Sequence, residues 1–275
     1  MNLQDARALG DVMLMCALGA NEIVKSVYHQ EDRGISFKEG DDPVTRADKE
    51  ANAFLIEALG AALPGVPIVA EESDPSTYTG YTSAPAAFFV DPLDGTREFV
   101  ARNGEFCVMV GFAEEGRAAV GVVVCPTWGT AYVGAPGHYA EVVDSAGARA
   151  PIHVSSTFPL TSARALISRS HKSEATDRIL ARLGAKALTP YGSAGLKAIQ
   201  VASGATDLYV HPGPSGMLWD SCAPEAIVRA AGGLMTDARG RDIDYRRPTL
   251  QNMDGVLAAS PRLHAEALAK LGSFP

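Results

Sequence analysis

The chain has 275 residues, 47% hydrophobic and 20% charged, enough for one large domain or two lobes sharing a core and too apolar for a disordered segment. Its 24 basic and 32 acidic residues leave a net charge of −8 with no Lys/Arg run, which argues against a nucleic-acid polymer as partner, because gripping a phosphate backbone needs a basic face. No apolar run reaches the ~18 residues that span a bilayer, the start MNLQDARALG lacks the basic region of a secretory signal, and the four cysteines (Cys16, Cys107, Cys125, Cys222) show no CxxC spacing, so a cytoplasmic protein with buried free thiols is expected.

In chain order, residues 3–29 place Leu9, Val12, Met13, Cys16, Ile23, Val24 and Val27 at helical spacing and predict a long amphipathic helix. A second helix follows Thr45, with Phe54, Leu55, Ala58 and Leu59 on one face, and stops at Leu63-Pro64-Gly65. Short apolar runs at 67–70 and 86–90 read as strands, and each runs directly into carboxylates, Glu71-Glu72 and Asp91. Residues 107–113 and 118–124 flank Glu114-Glu115-Gly116-Arg117 as an antiparallel hairpin, and 130–133, 140–143 and 152–154 continue that sheet. From about Thr161 strands and helices alternate: strand 165–168, helix 174–183, helix 193–203, strand 207–211, helix 221–231, strand 234–236 and helix 261–271. No repeat or flexible linker interrupts the chain. Two tightly packed lobes with a cleft between them are expected, residues 1–160 as an N-terminal α+β lobe and 161–275 as a C-terminal α/β lobe.

The stretch richest in chemistry is VDPLDGTREF, residues 90–99. A strand ends, two aspartates three apart follow, and a Gly-Thr pair opens a short helix. Pro92 fixes φ and turns the chain, so the carboxylates of Asp91 and Asp94 converge; with the backbone carbonyl between them they suit Mg2+, a hard cation that prefers oxygen. Gly95 lets the backbone approach a ligand closely, N–H groups at a helix start bind phosphate oxygens, and the Thr96 hydroxyl can align a water. Taken alone, the stretch reads equally well as an Asp-Gly turn with a Thr cap. Glu71 ends its strand at the same sheet edge, where open α/β sheets hold ligands, whereas Glu72 and Asp74 read as a solvated acidic loop. Thr45 and Asp48 have capping-box spacing, which also faces any metal site near that helix start. Asp220, after Trp219, reads as an N-cap. Together Glu71, Asp91, Asp94 and Asp220, with Asp48 as a fifth, collect more costly carboxylates at element ends than stability accounts for. Metal ions ~3.5–4 Å apart would neutralise them and clamp an in-line displacement at phosphorus.

The segments DPVTRAD, AEES, VDPLDGTREF and WDSCAPEA, in that order over most of the chain, resemble the lithium-sensitive, magnesium-dependent phosphatase superfamily of inositol monophosphatase. Ala70 stands where many members have glycine, and Phe88-Phe89 where a tryptophan often stands; neither departure removes a ligand. The resemblance implies a layered αβαβα sandwich of the sugar-phosphatase type, antiparallel in the N-terminal lobe and mixed α/β in the C-terminal lobe. It implies two or three Mg2+ ions held by Glu71, Asp91, the Leu93 carbonyl, Asp94 and Asp220. By the same resemblance Asp48 and Thr96 activate or orient the attacking water, and Thr45 supports Asp48.

Within the superfamily, residues 91–105, 168–172 (SRSHK), 192–197 (GSAGLK) and 219–226 look most like a 3′(2′),5′-bisphosphate nucleotidase. That likeness implies that Ser168, His171, Ser193 and Lys197 contact the nucleotide, with Thr96 near the scissile phosphate. Gly95 joins the substrate-binding set from its place at the helix start, and Arg169 and Lys172 read equally as cations for a second phosphate and as solvated charge. Inositol enzymes carry a glutamate a few residues before the WD pair; here residues 211–216 read HPGPSG, with no acid. The expected substrate is adenosine 3′,5′-bisphosphate, cut to AMP and phosphate, with its sulfated form as a second. The alternatives are an inositol-1-monophosphatase or sugar bisphosphatase with the same metal site, and a non-catalytic phosphate-binding regulator. A phosphoaspartate mechanism wants aspartates two apart, and these are three apart. The expected partner is a small phosphate ester, met by a monomer or homodimer.

Overall fold

The computed structural model describes residues 1–38, 40, 42–169 and 174–272. Helix α1 (Leu3–Tyr28) buries Met13, Ala17, Ala20 and Val24 on one side, and its first turn is capped by Asn2, whose side chain accepts from Asp5 N. A short antiparallel hairpin, β1 (Ser36–Lys38) and β2 (Asp42–Val44), leads into α2 (Arg46–Ala62). Strands β3 (Ile68–Ala70), β4 (Ala86–Asp94), β5 (Cys107–Glu114), β6 (Arg117–Cys125), β7 (Thr130–Ala135), β8 (Tyr139–Asp144) and β9 (Arg149–Pro151) form one sheet in that order. The β3–β4 pair is parallel and the rest are antiparallel; α3 (Thr96–Ala101) leaves the end of β4.

The remainder of the chain alternates. Strands β10 (Arg164–Ser168), β11 (Ala187–Tyr191), β12 (Leu208–Pro212), β13 (Leu234–Thr236) and β14 (Gly255–Ala259) make a second sheet in the order β11-β10-β12-β14-β13. Helices α4 (Glu174–Leu183), α5 (Ala194–Ala202), α6 (Trp219–Ala230) and α7 (Pro261–Leu271) fall between or after them. On one face of the first sheet α1 and α2 bury Met13 and Leu55 against Phe88, Val110 and Val122. On its other face α5 and α6 pack Leu196 and Ile227 against Met109 and Val123, and against Tyr209 and Val256 of the second sheet. Beyond the second sheet lie α4 and α7, through Leu180, Leu183 and Leu263. The order helix, sheet, helix, sheet, helix is the expected αβαβα layering. Among the described residues no helix is long and apolar enough to cross a membrane.

A row of glycines seats α6. Gly111, Gly121 and Gly134 stand directly opposite one another on β5, β6 and β7. A Cβ on Gly111 would lie 2.6 Å from Cys222 Cβ, one on Gly121 2.2 Å from the Ala223 carbonyl oxygen, and one on Gly134 2.8 Å from Ile227 Cα. The bare backbone there lets the helix sink onto the sheet, and the acidic start of α6 is carried with it to the end of β4.

Several elements differ from the sequence reading. The last strand of the first sheet is β9 at 149–151, not 152–154, because Val154 N turns away from the sheet to donate to Ala231 O at 3.1 Å. Helix α6 begins at Trp219, so Asp220 lies inside its first turn instead of capping it. The hairpin β1–β2 and strands β11 and β14 were not expected. β11 and β14 are held by long-range partners, β10 and β12, that local pattern does not display.

Candidate active site

β4 carries its pairing with β5 through a bulge between Asp91 and Asp94, where Pro92 bends the strand. The Asp91 carboxylate turns back to accept from Leu93 N at 2.9 Å, which leaves the Leu93 carbonyl facing the cleft side of the turn with Thr96 Oγ1 3.2 Å away. Gly95 has φ 98°, and a Cβ there would meet the Glu105 carbonyl oxygen at 2.7 Å, so only glycine passes. Because β3 pairs in parallel with β4 at Ala70 and Val90, Glu71 emerges beside Asp91, and its N–H donates to Val90 O at 3.1 Å. Asp220 arrives from α6. Asp91, Asp94 and Asp220 each offer an oxygen within 4.8 Å of the others.

Such crowding has an electrostatic signature. Burial, then the nearby Asp220 carboxylate, pushes Glu71 up to about 8. Burial, then Glu71, raises Asp91 well above the usual carboxylate range, and burial, then Asp94, lifts Asp220 to about 7. Three acids resisting ionisation together, with Asp94 among them in space, are a group that a cation relieves, and an all-oxygen donor set fits a hard divalent ion.

Asp48 sits at the start of α2, buried, and accepts from Thr45 N at 2.8 Å, Thr45 Oγ1 at 2.5 Å and Thr96 Oγ1 at 2.9 Å. Thr45 Oγ1 in turn accepts from Ala47 N at 3.1 Å, which completes the capping box read from the sequence. Burial raises Asp48 to about 6 against the opposing pull of those hydrogen bonds.

The carboxylates line a cleft of about 260 Å³ together with Gly95, Thr96, Arg97, Ser168, Arg169, Tyr191, Ser193 and Lys197. Not all of these side chains present their polar atoms to it. Ser193, φ 55°, caps α5 and gives its hydroxyl to Asp94 Oδ2 at 2.5 Å. Ala194 N and Gly195 N also donate to Asp94, at 3.1 and 2.6 Å, so Asp94 ties the start of α5 to the end of β4. The Lys197 ammonium is buried and donates to the carbonyls of Tyr191, Gly192 and Ser193 at 3.3, 3.3 and 2.5 Å; burial lowers it to about 8. Arg169 pairs with Glu105 at 2.7 Å, and Glu105 also accepts from Gly192 N at 2.6 Å. His171 and Lys172 lie outside the described residues.

A family description, the inositol monophosphatase family, matches residues 9–273. The chain belongs to the inositol monophosphatase family. The 3′(2′),5′-bisphosphate nucleotidase CysQ of Salmonella typhimurium is 37% identical over 230 residues, 83% of this chain and 90% of its own. Among solved structures, the extragenic suppressor protein suhB of Bartonella henselae superposes with a TM-score of 0.83 at 24% identity, covering 98% of this chain and 100% of that one. CysQ of Bacteroides thetaiotaomicron does so with a TM-score of 0.77 at 25% identity, covering 93% and 98%. This inositol monophosphatase family member is therefore a phosphatase of mixed α/β fold whose Asp91, Asp94 and Asp220 can hold a metal.

Two residues of this family member's site, Lys38 and Glu105, escaped the sequence reading, and a third, Glu72, stands differently from it. Lys38, on β1, bonds Glu72 and reaches Glu71 at 3.4 Å. Glu72 is thereby ion-paired with its side chain 8% exposed, not solvated as expected; Asp74 does cap an exposed turn. Glu105 organises Arg169 and the Gly192 peptide. A lone lysine in a polar stretch and a glutamate past a turn carry no local signal; only the fold brings them to the cleft.

Proposed function

We propose that the chain is a Mg2+-dependent phosphatase that hydrolyses the 3′-phosphate of adenosine 3′,5′-bisphosphate to AMP and phosphate, with the 3′-phosphoadenylyl sulfate form as a second substrate. The observation that carries this reading is the shared cleft: Asp91, Asp94, Asp220 and Glu71 line the same space as Ser168, Arg169, Tyr191 and Gly192. The first group meets metal and scissile phosphate; the second offers hydroxyl, guanidinium and ring groups for a nucleotide with another anionic end. The HPGPSG rim, with no acid to read sugar hydroxyls, and the CysQ name of the Salmonella relative support the nucleotide.

In this reading Glu71, Asp91, the Leu93 carbonyl, Asp94 and Asp220 hold two or three Mg2+, which when bound supply an acidified water and charge stabilisation at phosphorus. The Thr96 hydroxyl gives its proton to Asp48 and so offers its lone pairs to a water proton, orienting that water for in-line attack. Asp48, held ionised near neutrality by Thr45 and Thr96, takes up the proton relayed through Thr96. Gly95 brings backbone close to the phosphate. Ser168 and His171 contact the nucleotide, while Ser193 and Lys197 act on it through the 191–193 turn they hold. We place the division of labour near residue 160, residues 1–160 supplying most ligands and 161–275 reading the substrate and contributing Asp220.

The test is phosphate release at saturating Mg2+ with adenosine 3′,5′-bisphosphate, inositol 1-phosphate and fructose 1,6-bisphosphate side by side. A kcat/KM favouring the nucleotide at least tenfold, roughly 1.4 kcal/mol of transition-state discrimination, is expected. A larger value for the inositol or sugar ester overturns the substrate assignment and leaves the metal site standing.

A further inference from the structure

Asp220 is aimed by a segment that is itself gripped from far along the chain. Met217 N donates to Asp220 Oδ2 at 2.5 Å, and Gly216, φ 66°, lies so close that a Cβ there would meet the same oxygen at 2.7 Å. Residues 215–217 also line the cleft. The peptide between 216 and 217 thus touches the carboxylate with its N–H and turns its carbonyl outward.

That outward carbonyl is met by Asn252, in the loop between β13 and β14. Asn252 N donates to Gly216 O at 3.0 Å, and its carbonyl accepts from Ser215 N at 3.0 Å. Its side chain takes the next peptide as well: Nδ2 donates to Met217 O at 2.8 Å and to Ser221 Oγ, the residue after Asp220, at 2.9 Å. Oδ1 accepts from Arg247 Nη2 at 2.6 Å. Arg247 has only donors and Met217 O only accepts, so the amide has one orientation that satisfies both. Asn252 is 4% exposed, and Arg247 is anchored by its own bonds to Thr249 O at 2.8 Å and Gln251 O at 3.1 Å. A turn-forming asparagine needs none of these side-chain contacts.

We propose that Asn252, oriented by Arg247, is a positioning residue that fixes the 216–217 peptide and through it the Asp220 carboxylate and one rim of the cleft. The inference rests on Asp220 being a metal ligand. An amide that holds the group holding a ligand acts on metal affinity at one remove, a dependence worth about ten- to a hundredfold where such outer partners are lost.

The deciding variant is Asn252→Asp. It keeps the shape and the acceptor for Arg247 but sets a carboxylate oxygen against Met217 O, so the 217–218 peptide and with it Met217 N shift while the loop stays anchored. Calorimetric titration of the intact protein with Mg2+ alone is expected to show Kd raised about tenfold or more. The KM for the phosphate ester rises with it, and the circular-dichroism spectrum stays that of the parent chain. Arg247→Lys, which keeps the charge but loses the fork, moves Kd in the same direction by a smaller factor and carries the test if Asn252→Asp does not fold. Asp220→Asn is the control. If Asp220→Asn weakens Mg2+ binding while Asn252→Asp and Arg247→Lys bind as the parent does, the positioning role is overturned and the metal site stands. If Asp220→Asn itself leaves Kd unchanged, both readings fall.

Discussion

Asp94 serves two structures at once: it is one of three aspartates able to share a cation, and it caps α5 through Ser193 Oγ, Ala194 N and Gly195 N. Replacing it by asparagine removes the charge and turns an N–H group toward donors. We expect Asp94→Asn to lower kcat on the order of a thousandfold, as losing a preorganised electrostatic partner does. It should also cost about 1–2 kcal/mol in urea unfolding, from the cap bonds left unmade. Near-parental turnover with undiminished Mg2+ affinity would remove Asp94 from the metal site. Lys197 presents the reverse case, a residue expected at the substrate whose ammonium faces three carbonyls instead. With those carbonyls released, the 191–193 turn loses its hold on the cleft wall. Lys197→Ala should raise KM for adenosine 3′,5′-bisphosphate about tenfold, since small displacements of a positioning wall are costly, and affect a simple monophosphate ester much less. Equal effects on both esters would take Lys197 out of substrate reading.

Asp220 reaches Asp91 and Asp94 only because α6 lies close on the first sheet, and that closeness depends on Gly111, Gly121 and Gly134. Gly121→Ala puts a methyl group where the Ala223 carbonyl now stands, 2.2 Å away, and backbone rather than a flexible side chain must give. Overpacking of this kind costs about 1–3 kcal/mol, read as a lower urea midpoint. Lifting α6 also moves Asp220, so Mg2+ should protect Gly121→Ala against heat less than it protects the parent; a variant with the parent's midpoint and Mg2+ shift would show the row to be incidental. The row had a trace in the sequence, since Val110-Gly111, Val120-Gly121 and Val133-Gly134 repeat a Val-Gly pair mid-strand. What makes the pairs one feature is register, which local pattern does not state. The same divide runs through the other elements. Helices α1 and α2, the β5–β6 hairpin and the capping box were legible because periodicity, turn residues and spacing are local. The carboxylates of DPLDGT were legible because strand, bend and helix start follow one another in ten residues. Lys38, Glu105 and Asn252 were not, because each meets its partners only across the fold, as do β11 and β14.

At the scale of the whole molecule, two buried groups outside the cleft lining contribute to how stability answers to pH, and they pull in opposite directions. His264, on α7, is buried with Nε2 2.9 Å from Thr236 Oγ1, and burial holds it down to about 4. Between pH 4 and its unfolded value near 6.5 the unfolded chain binds the extra proton, so this group makes stability rise with pH. Glu225, on α6, is equally buried, bonded to Tyr245 OH at 2.6 Å and Arg229 Nη1 at 2.9 Å, and burial lifts it to about 7 against those bonds. Between about 4.5 and 7 the folded chain binds the extra proton, so this group makes stability fall as pH rises. Each displacement carries roughly 3 kcal/mol at full extent. Over pH 4.5–6.5 these two slopes offset each other, and the parent's profile does not separate them. Single variants expose them when unfolding free energies by urea are compared with the parent at each pH. The difference for His264→Gln should grow more destabilising as pH rises through this window, because the parent alone keeps the histidine's gain. The difference for Glu225→Gln should shift the other way, because the parent alone keeps the glutamate's loss. Differences that stay constant from pH 4.5 to 6.5 in both variants would mean that neither group is held away from its ordinary titration in the folded protein, and that the hydrogen-bonded cores around α6 and α7 are open to water.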